Sequence, residues 1–77
     1  MPVTIYTTSA CHACKEAKSW FQAKGVKFGE INVENDRLLQ QELFERTGQL
    51  AVPIIDVNGK IVLGFDRRRL AELLEFE

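Results

Sequence analysis

Cysteine and histidine are scarce in this 77-residue chain: Cys11, Cys14 and the single His12 all fall in one short stretch, SACHAC. A structural zinc centre needs four nitrogen or sulfur ligands, usually as two separated pairs, so these three clustered donors cannot complete one alone. An excess of charge of one sign is also lacking, since ten Lys and Arg stand against eleven Asp and Glu, for a net charge of −1. Without a basic field to displace counterions from phosphates, generic nucleic-acid binding is excluded. No apolar run approaches the ~20 residues of a bilayer span, and residues 1–10 hold no charged segment leading into an apolar one. A cytoplasmic protein without membrane attachment is therefore expected. Five glycines, two prolines and no low-complexity segment argue against a linker or a disordered tail. No repeat of solenoid period is present, and the length suits one small domain, residues 1–77, with a thin core.

What is present is an ordinary globular mixture, 45% hydrophobic and 27% charged, arranged periodically. Val3 to Thr7 is a β-branched and aromatic run that suits a buried strand. A helix follows, capped by Thr8 or Ser9, with Cys14, Ala17, Trp20 and Phe21 at helical spacing and Lys24-Gly25 at its end. Lys27 to Val33 alternates as a second strand with Ile31 and Val33 on one face, and Asn35 or Asp36 caps the next helix. That helix carries Leu39, Leu43 and Thr47 on one side and stops at Gly48. Pro53 to Gly64 reads as a hairpin, because Asn58-Gly59 is the two-residue sequence of a type I′ turn. Asp66 caps a last helix whose apolar stripe is Leu70, Leu73 and Leu74. The order βαβαββα predicts an α/β fold in which a parallel pair and an antiparallel hairpin form a four-stranded mixed sheet covered by three helices.

Ligands gather outside the carboxyl ends of parallel strands, and Cys11 and Cys14 sit there, on the first βα turn. Helical residues three apart have Cα atoms only ~5 Å apart, within the range a disulfide spans, so the two sulfurs can join and part with little backbone motion. Cys11, in the first turn, meets unpaired N–H groups and the positive end of the helix macrodipole, which favour thiolate over thiol. Cys14 lies one turn deeper on the apolar face. An accessible thiolate backed by a neighbouring thiol is what thiol–disulfide exchange requires. A protonated His12 would stabilise that thiolate further, and the alternative is a surface histidine without a task. A purely structural disulfide is disfavoured, because so short a loop removes little unfolded-state entropy and cytosolic thiols are kept reduced. Rival readings from other classes are a metal or iron–sulfur carrier completed by outside ligands, and a non-catalytic thiol sensor.

On VTIYTTSACHAC at 3–14, AVP at 51–53 and GFD at 64–66, the chain resembles the glutaredoxin-like members of the thioredoxin superfamily over nearly its whole length. The resemblance implies a thioredoxin-like fold and a small thiol–disulfide oxidoreductase that reduces protein or glutathione mixed disulfides. It makes Cys11 the attacking thiol, Cys14 the resolving thiol and Pro53 a cis-proline, whereas statistics alone favour trans at any X–Pro bond. It implies that the backbone of Val52 pairs with an extended substrate and that Gly64, Phe65, Asp66 and Arg67 border the substrate site, Asp66 also meeting a ligand amine. No bound cofactor is implied, and glutathione enters as reductant or co-substrate. The implied partners are disulfide-bearing proteins and an electron donor, either glutathione or thioredoxin reductase, to a monomer.

The chain departs from the pattern at three places. His12-Ala13 replaces the common Pro-Tyr, Thr8 replaces a lysine ahead of the cysteines, and Leu63-Gly64 replaces a glycine pair. Those positions help many relatives hold glutathione, and Gly64-Phe65 is similar to redoxins that serve ribonucleotide reductase and are reduced by thioredoxin reductase. In the last helix, Arg67, Arg68 and Arg69 crowd the N-terminal turn and Glu75 and Glu77 the C-terminal one, both against the macrodipole. An arginine there is expected to receive a carboxylate of glutathione or of a protein partner; a solvated basic turn is the alternative. Trp20, Phe21, Phe28, Phe44 and Phe65 are expected in the core, and Tyr6 either borders the thiols or packs under the sheet. Glu30, Asp56 and Asp66 show no acid–base spacing.

Overall fold

The computed structural model describes residues 2–75. Its elements run β1 (Val3–Thr7), α1 (His12–Ala23), β2 (Gly29–Asn32), α2 (Arg37–Thr47), β3 (Ile54–Val57), β4 (Lys60–Leu63) and α3 (Arg67–Leu74). The predicted order βαβαββα stands. The sheet order is β2-β1-β3-β4, with β1 and β2 parallel and the other two pairings antiparallel. Register sets Tyr6 against Ile31 on one side and Ile54 on the other, and Ile5 against Ile55.

Alternation along β1 divides the core between the two sheet faces. Val3 and Ile5 join Ile55, Val57 and Val62 beneath Ala17 and Phe21 of α1 and Leu70 of α3, all buried. Tyr6 turns the other way, onto a smaller cluster of Val33, Ile54 and Leu43 of α2. Burying each large aliphatic or aromatic side chain stabilises the fold by roughly 1.5–3 kcal/mol before the entropy of ordering is subtracted. The thicker face, with α1 and α3 side by side, is the one that carries the cysteine helix.

Local chemistry accounts for most boundaries. Asp36 and Asp66 cap α2 and α3 as expected, each carboxylate accepting a backbone N–H at 3.0 Å, from Leu39 and Arg69 respectively. Gly48 ends α2 at φ 78°, and Asn58 and Gly59 both take positive φ, as a type I′ turn demands. The charge at the end of α3 is represented by Glu75; Glu77 lies outside the described residues.

Four local expectations are corrected. The residue capping α1 is Cys11, not Thr8 or Ser9, so the helix starts two or three residues later than cap preference alone suggests. The second strand is shorter than Lys27 to Val33, and Ile31 stays 39% exposed while Val33 is buried, because only Val33 reaches the Leu43–Ile54 cluster from this edge strand. Phe44 is 52% exposed rather than core, since α2 buries the Leu43 side of its surface. Trp20, Phe28 and Phe65 are half-buried, packing against the core rather than lying within it.

Candidate active site

The end of β1 delivers the chain into the cysteine turn, and polar contacts from β2 and the segment after it hold that turn in place. The Val33 amide donates to the Thr7 carbonyl at 2.8 Å, one step past the last parallel register pair. Beyond it, the Ser9 amide donates to Glu34 Oε1 at 3.2 Å, Asn32 Nδ2 donates to Ser9 Oγ at 3.2 Å, and Asn32 Oδ1 accepts the Glu34 amide at 2.9 Å. Two residues earlier on the same strands, buried Thr7 donates its hydroxyl to Glu30 Oε2 at 2.8 Å, and Lys18 Nζ of α1 reaches both Glu30 oxygens at 3.0 and 3.1 Å. Hydrogen bonding from Lys18, then from Thr7, holds the Glu30 carboxyl below its usual range, outweighing the opposing effect of partial burial. Glu30 ties the cysteine helix to two strands.

Cys11 occupies the N-cap position with extended backbone, φ −105° and ψ 107°, and its Sγ accepts the Cys14 amide at 3.0 Å. Sulfur therefore takes the place of the usual Ser or Asp oxygen, and a negative sulfur there would accept a charge-assisted hydrogen bond at the positive end of α1. The two cysteines form a disulfide with Cα atoms 5.2 Å apart, matching the helical estimate. Both cysteines are buried, Cys11 at 8% exposure and Cys14 at 1%, so Cys11 is the outer of the two but less open than the sequence suggested.

The other expected site residues fall into two groups. The Val52–Pro53 bond is cis, Pro53 is buried, and its carbonyl accepts the Gly64 amide at 2.9 Å. That bond joins the segment before β3 to the segment after β4, with Gly64 at φ 76° where a side chain would be strained. Val52 and Thr8 also line a groove of about 210 Å³ with Val33, Gln40, Leu43, Leu50 and Ile54. On the other flank, His12, Phe65 and Arg67 share a more open cleft with α1. His12 is directed at Glu16, Nε2 to Oε1 at 3.2 Å, and its side chain is 88% exposed. Tyr6 packs with the α2 cluster, and Asp66 is engaged as the α3 cap. Among the described residues no three His, Cys, Asp or Glu side chains are grouped to hold a metal ion.

Sequence reasoning missed Ser9, Asn32 and Glu34 as braces of the cysteine turn. Their polarity just after β2, at the carboxyl end of the strand parallel to β1, was a usable signal, but only register shows which side chains meet.

The chain matches the family model described as Glutaredoxin over residues 3–62. It is 32% identical over 73 residues to an uncharacterized glutaredoxin-like 8.6 kDa protein in the rubredoxin operon of Clostridium pasteurianum, covering 95% of this chain and 97% of that one. It is 33% identical over 64 residues to glutaredoxin 3 of Escherichia coli K12, covering 83% and 77%. In three dimensions it superposes on the glutaredoxin-like protein NrdH-redoxin from Escherichia coli with a TM-score of 0.81 at 26% identity, covering 95% of each. Together with a thioredoxin-like sheet that presents a Cys-x-x-Cys pair at the mouth of its first helix, these matches show that the chain belongs to the glutaredoxin family of thiol–disulfide oxidoreductases.

Proposed function

We propose that Cys11 is the attacking thiolate and Cys14 the resolving thiol in the reduction of protein and glutathione mixed disulfides. The thiolate of Cys11 attacks one sulfur of the substrate disulfide and expels the other, which takes a proton from solvent. Cys14 then loses its proton, attacks Cys11 Sγ and releases the second substrate sulfur. Two electrons pass to the substrate, and a Cys11–Cys14 disulfide remains for an outside reductant to open. The observation carrying this assignment is the N-cap position of Cys11, whose sulfur accepts the Cys14 amide while Cys14 lies buried one turn further in.

An extended substrate strand pairs with the Val52 backbone beside cis Pro53, and Gly64, Phe65, Asp66 and Arg67 border it. The protein works as a cytoplasmic, single-domain monomer; no helix among the described residues is long and apolar enough to cross a membrane. Donor choice is where a second reading has support. The changes at Thr8, His12-Ala13 and Leu63-Gly64 fall at positions that favour glutathione in relatives, and the NrdH-redoxin of similar shape is described as having a thioredoxin-like activity profile. Both point to thioredoxin reductase as the donor.

The test supplies oxidised protein separately with glutathione plus its reductase and with thioredoxin reductase, following NADPH consumption against a protein disulfide. Turnover with thioredoxin reductase alone selects the second reading, turnover with glutathione the first, and none with either rejects both. A metal-carrier role replaces them if anaerobically purified protein holds stoichiometric metal or shows a cluster absorption band.

A further inference from the structure

Along α1, His12, Lys15, Glu16 and Ser19 recur at helical spacing and form a stripe beside the buried stripe of Cys14, Ala17 and Phe21. Facing it, Phe65 and Arg67 lead into α3, and the two elements bound a cleft of about 430 Å³. Its apolar wall is a pair of rings, Trp20 and Phe65, set edge to face with centroids 5.8 Å apart and planes at 68°. Its rim is basic. Lys15 and Arg67 are exposed and, among the described residues, join no ion pair, and they outnumber the one lining acid, Glu16, whose Oε1 lies 3.2 Å from His12 Nε2. Arg67 also stands in the first turn of α3, where the macrodipole disfavours a cation and favours an anion.

We propose that this cleft docks an acidic segment of a partner protein, one in which carboxylates flank an aromatic side chain. The ring meets Trp20 and Phe65, while the carboxylates meet Lys15 and Arg67. His12 at one end of the cleft is next in the chain to Cys11, so docking there would bring a partner's disulfide or dithiol toward the outer of the two sulfurs. A protein is favoured over a nucleic acid because the chain as a whole carries a net charge of −1 and offers two local cations rather than a basic track. The proposal rests on the redoxin reading for its purpose, but not for its test.

The test uses a cysteine-free blocked peptide, Glu-Asp-Phe-Asp-Glu, its amide counterpart Gln-Asn-Phe-Asn-Gln, and the emission of Trp20, the chain's one tryptophan. The acidic peptide is expected to change that emission saturably, and the amide peptide to bind about fivefold more weakly or worse. Lys15→Glu is expected to weaken the acidic peptide about fivefold, while Lys60→Glu on the far hairpin leaves it unchanged. Binding should also weaken when ionic strength rises from about 0.05 to about 0.5 M, as screening requires. No saturable change up to millimolar peptide, equal binding of the two peptides, or equal effects of the two lysine variants would overturn the proposal, as would preferential binding of a short oligothymidylate. Disulfide reductase activity is measured on the same samples. Absent peptide binding with intact reductase activity overturns the docking surface alone, and intact, charge-dependent binding without reductase activity supports it while overturning the redoxin reading.

Discussion

Replacing Glu30 by Gln tests whether the cysteine helix is tied electrostatically to the sheet. The carboxylate receives Lys18 Nζ at 3.0 and 3.1 Å and the Thr7 hydroxyl at 2.8 Å, with side-chain exposures of 36% for Glu30 and 29% for Lys18. Glutamine keeps an oxygen for Thr7 but loses the charge. A partly exposed ion pair is worth about 0.2–1 kcal/mol, so the loss is placed at about 0.5–1 kcal/mol. In a domain of this size each kcal/mol shifts Tm by about 4–8 °C, so the variant should melt about 2–8 °C lower near pH 7. Because the folded-state pKa is lowered from 4.5, the stabilisation is fully present above the unfolded value and disappears as pH falls through the folded one. The Tm gap should therefore close on acidification below 4.5. Thermal unfolding followed by circular dichroism, on reduced protein so that the disulfide plays no part, measures the gap at neutral and acid pH. In a Lys18→Met background the same substitution should cost less. Equal Tm values at neutral pH, or a gap unchanged by acid, would refute the clamp.

Three further outcomes are expected. With no small thiol present, Cys14→Ser should stop at a covalent adduct between Cys11 and substrate, visible by mass spectrometry and released by dithiothreitol or glutathione, whereas Cys11→Ser should form none and show no reductase activity. Phe21→Ala removes a fully buried ring between α1 and the sheet and should cost about 3–5 kcal/mol, most of a small domain's margin; urea denaturation measures it. Asp66→Ala removes the acceptor of the Arg69 amide and should cost about 1 kcal/mol in the same assay, with Asp66→Ser recovering most of it.

What the amino-acid sequence determined by itself was everything set by residues a few positions apart. Hydrophobic period, the caps at Asp36 and Asp66 and the Asn58-Gly59 turn yield the order of elements, because each is a contest among near neighbours. The cysteine pair is local in the same sense: helical geometry places residues three apart at ~5 Å, within disulfide reach, and the structure has 5.2 Å. Even here a local rule failed where chemistry was unusual, since cap preferences point to Thr8 or Ser9 and not to a sulfur. The cis bond at Pro53 was legible only through family resemblance.

Tertiary structure decided what stands around that pair. Thr7 meets Glu30 across 23 residues of chain, Ser9 meets Glu34 across 25, and Lys18 meets Glu30 across 12. It also decided that Phe21 is buried while Phe44 is half exposed, and that Trp20 and Phe65 wall a cleft. Periodicity says that a face is apolar, not which surface will cover it. Strand register and helix placement bring distant side chains together, and a one-residue slip of a strand would send its side chains, Thr7 or Glu30 among them, to the opposite face of the sheet.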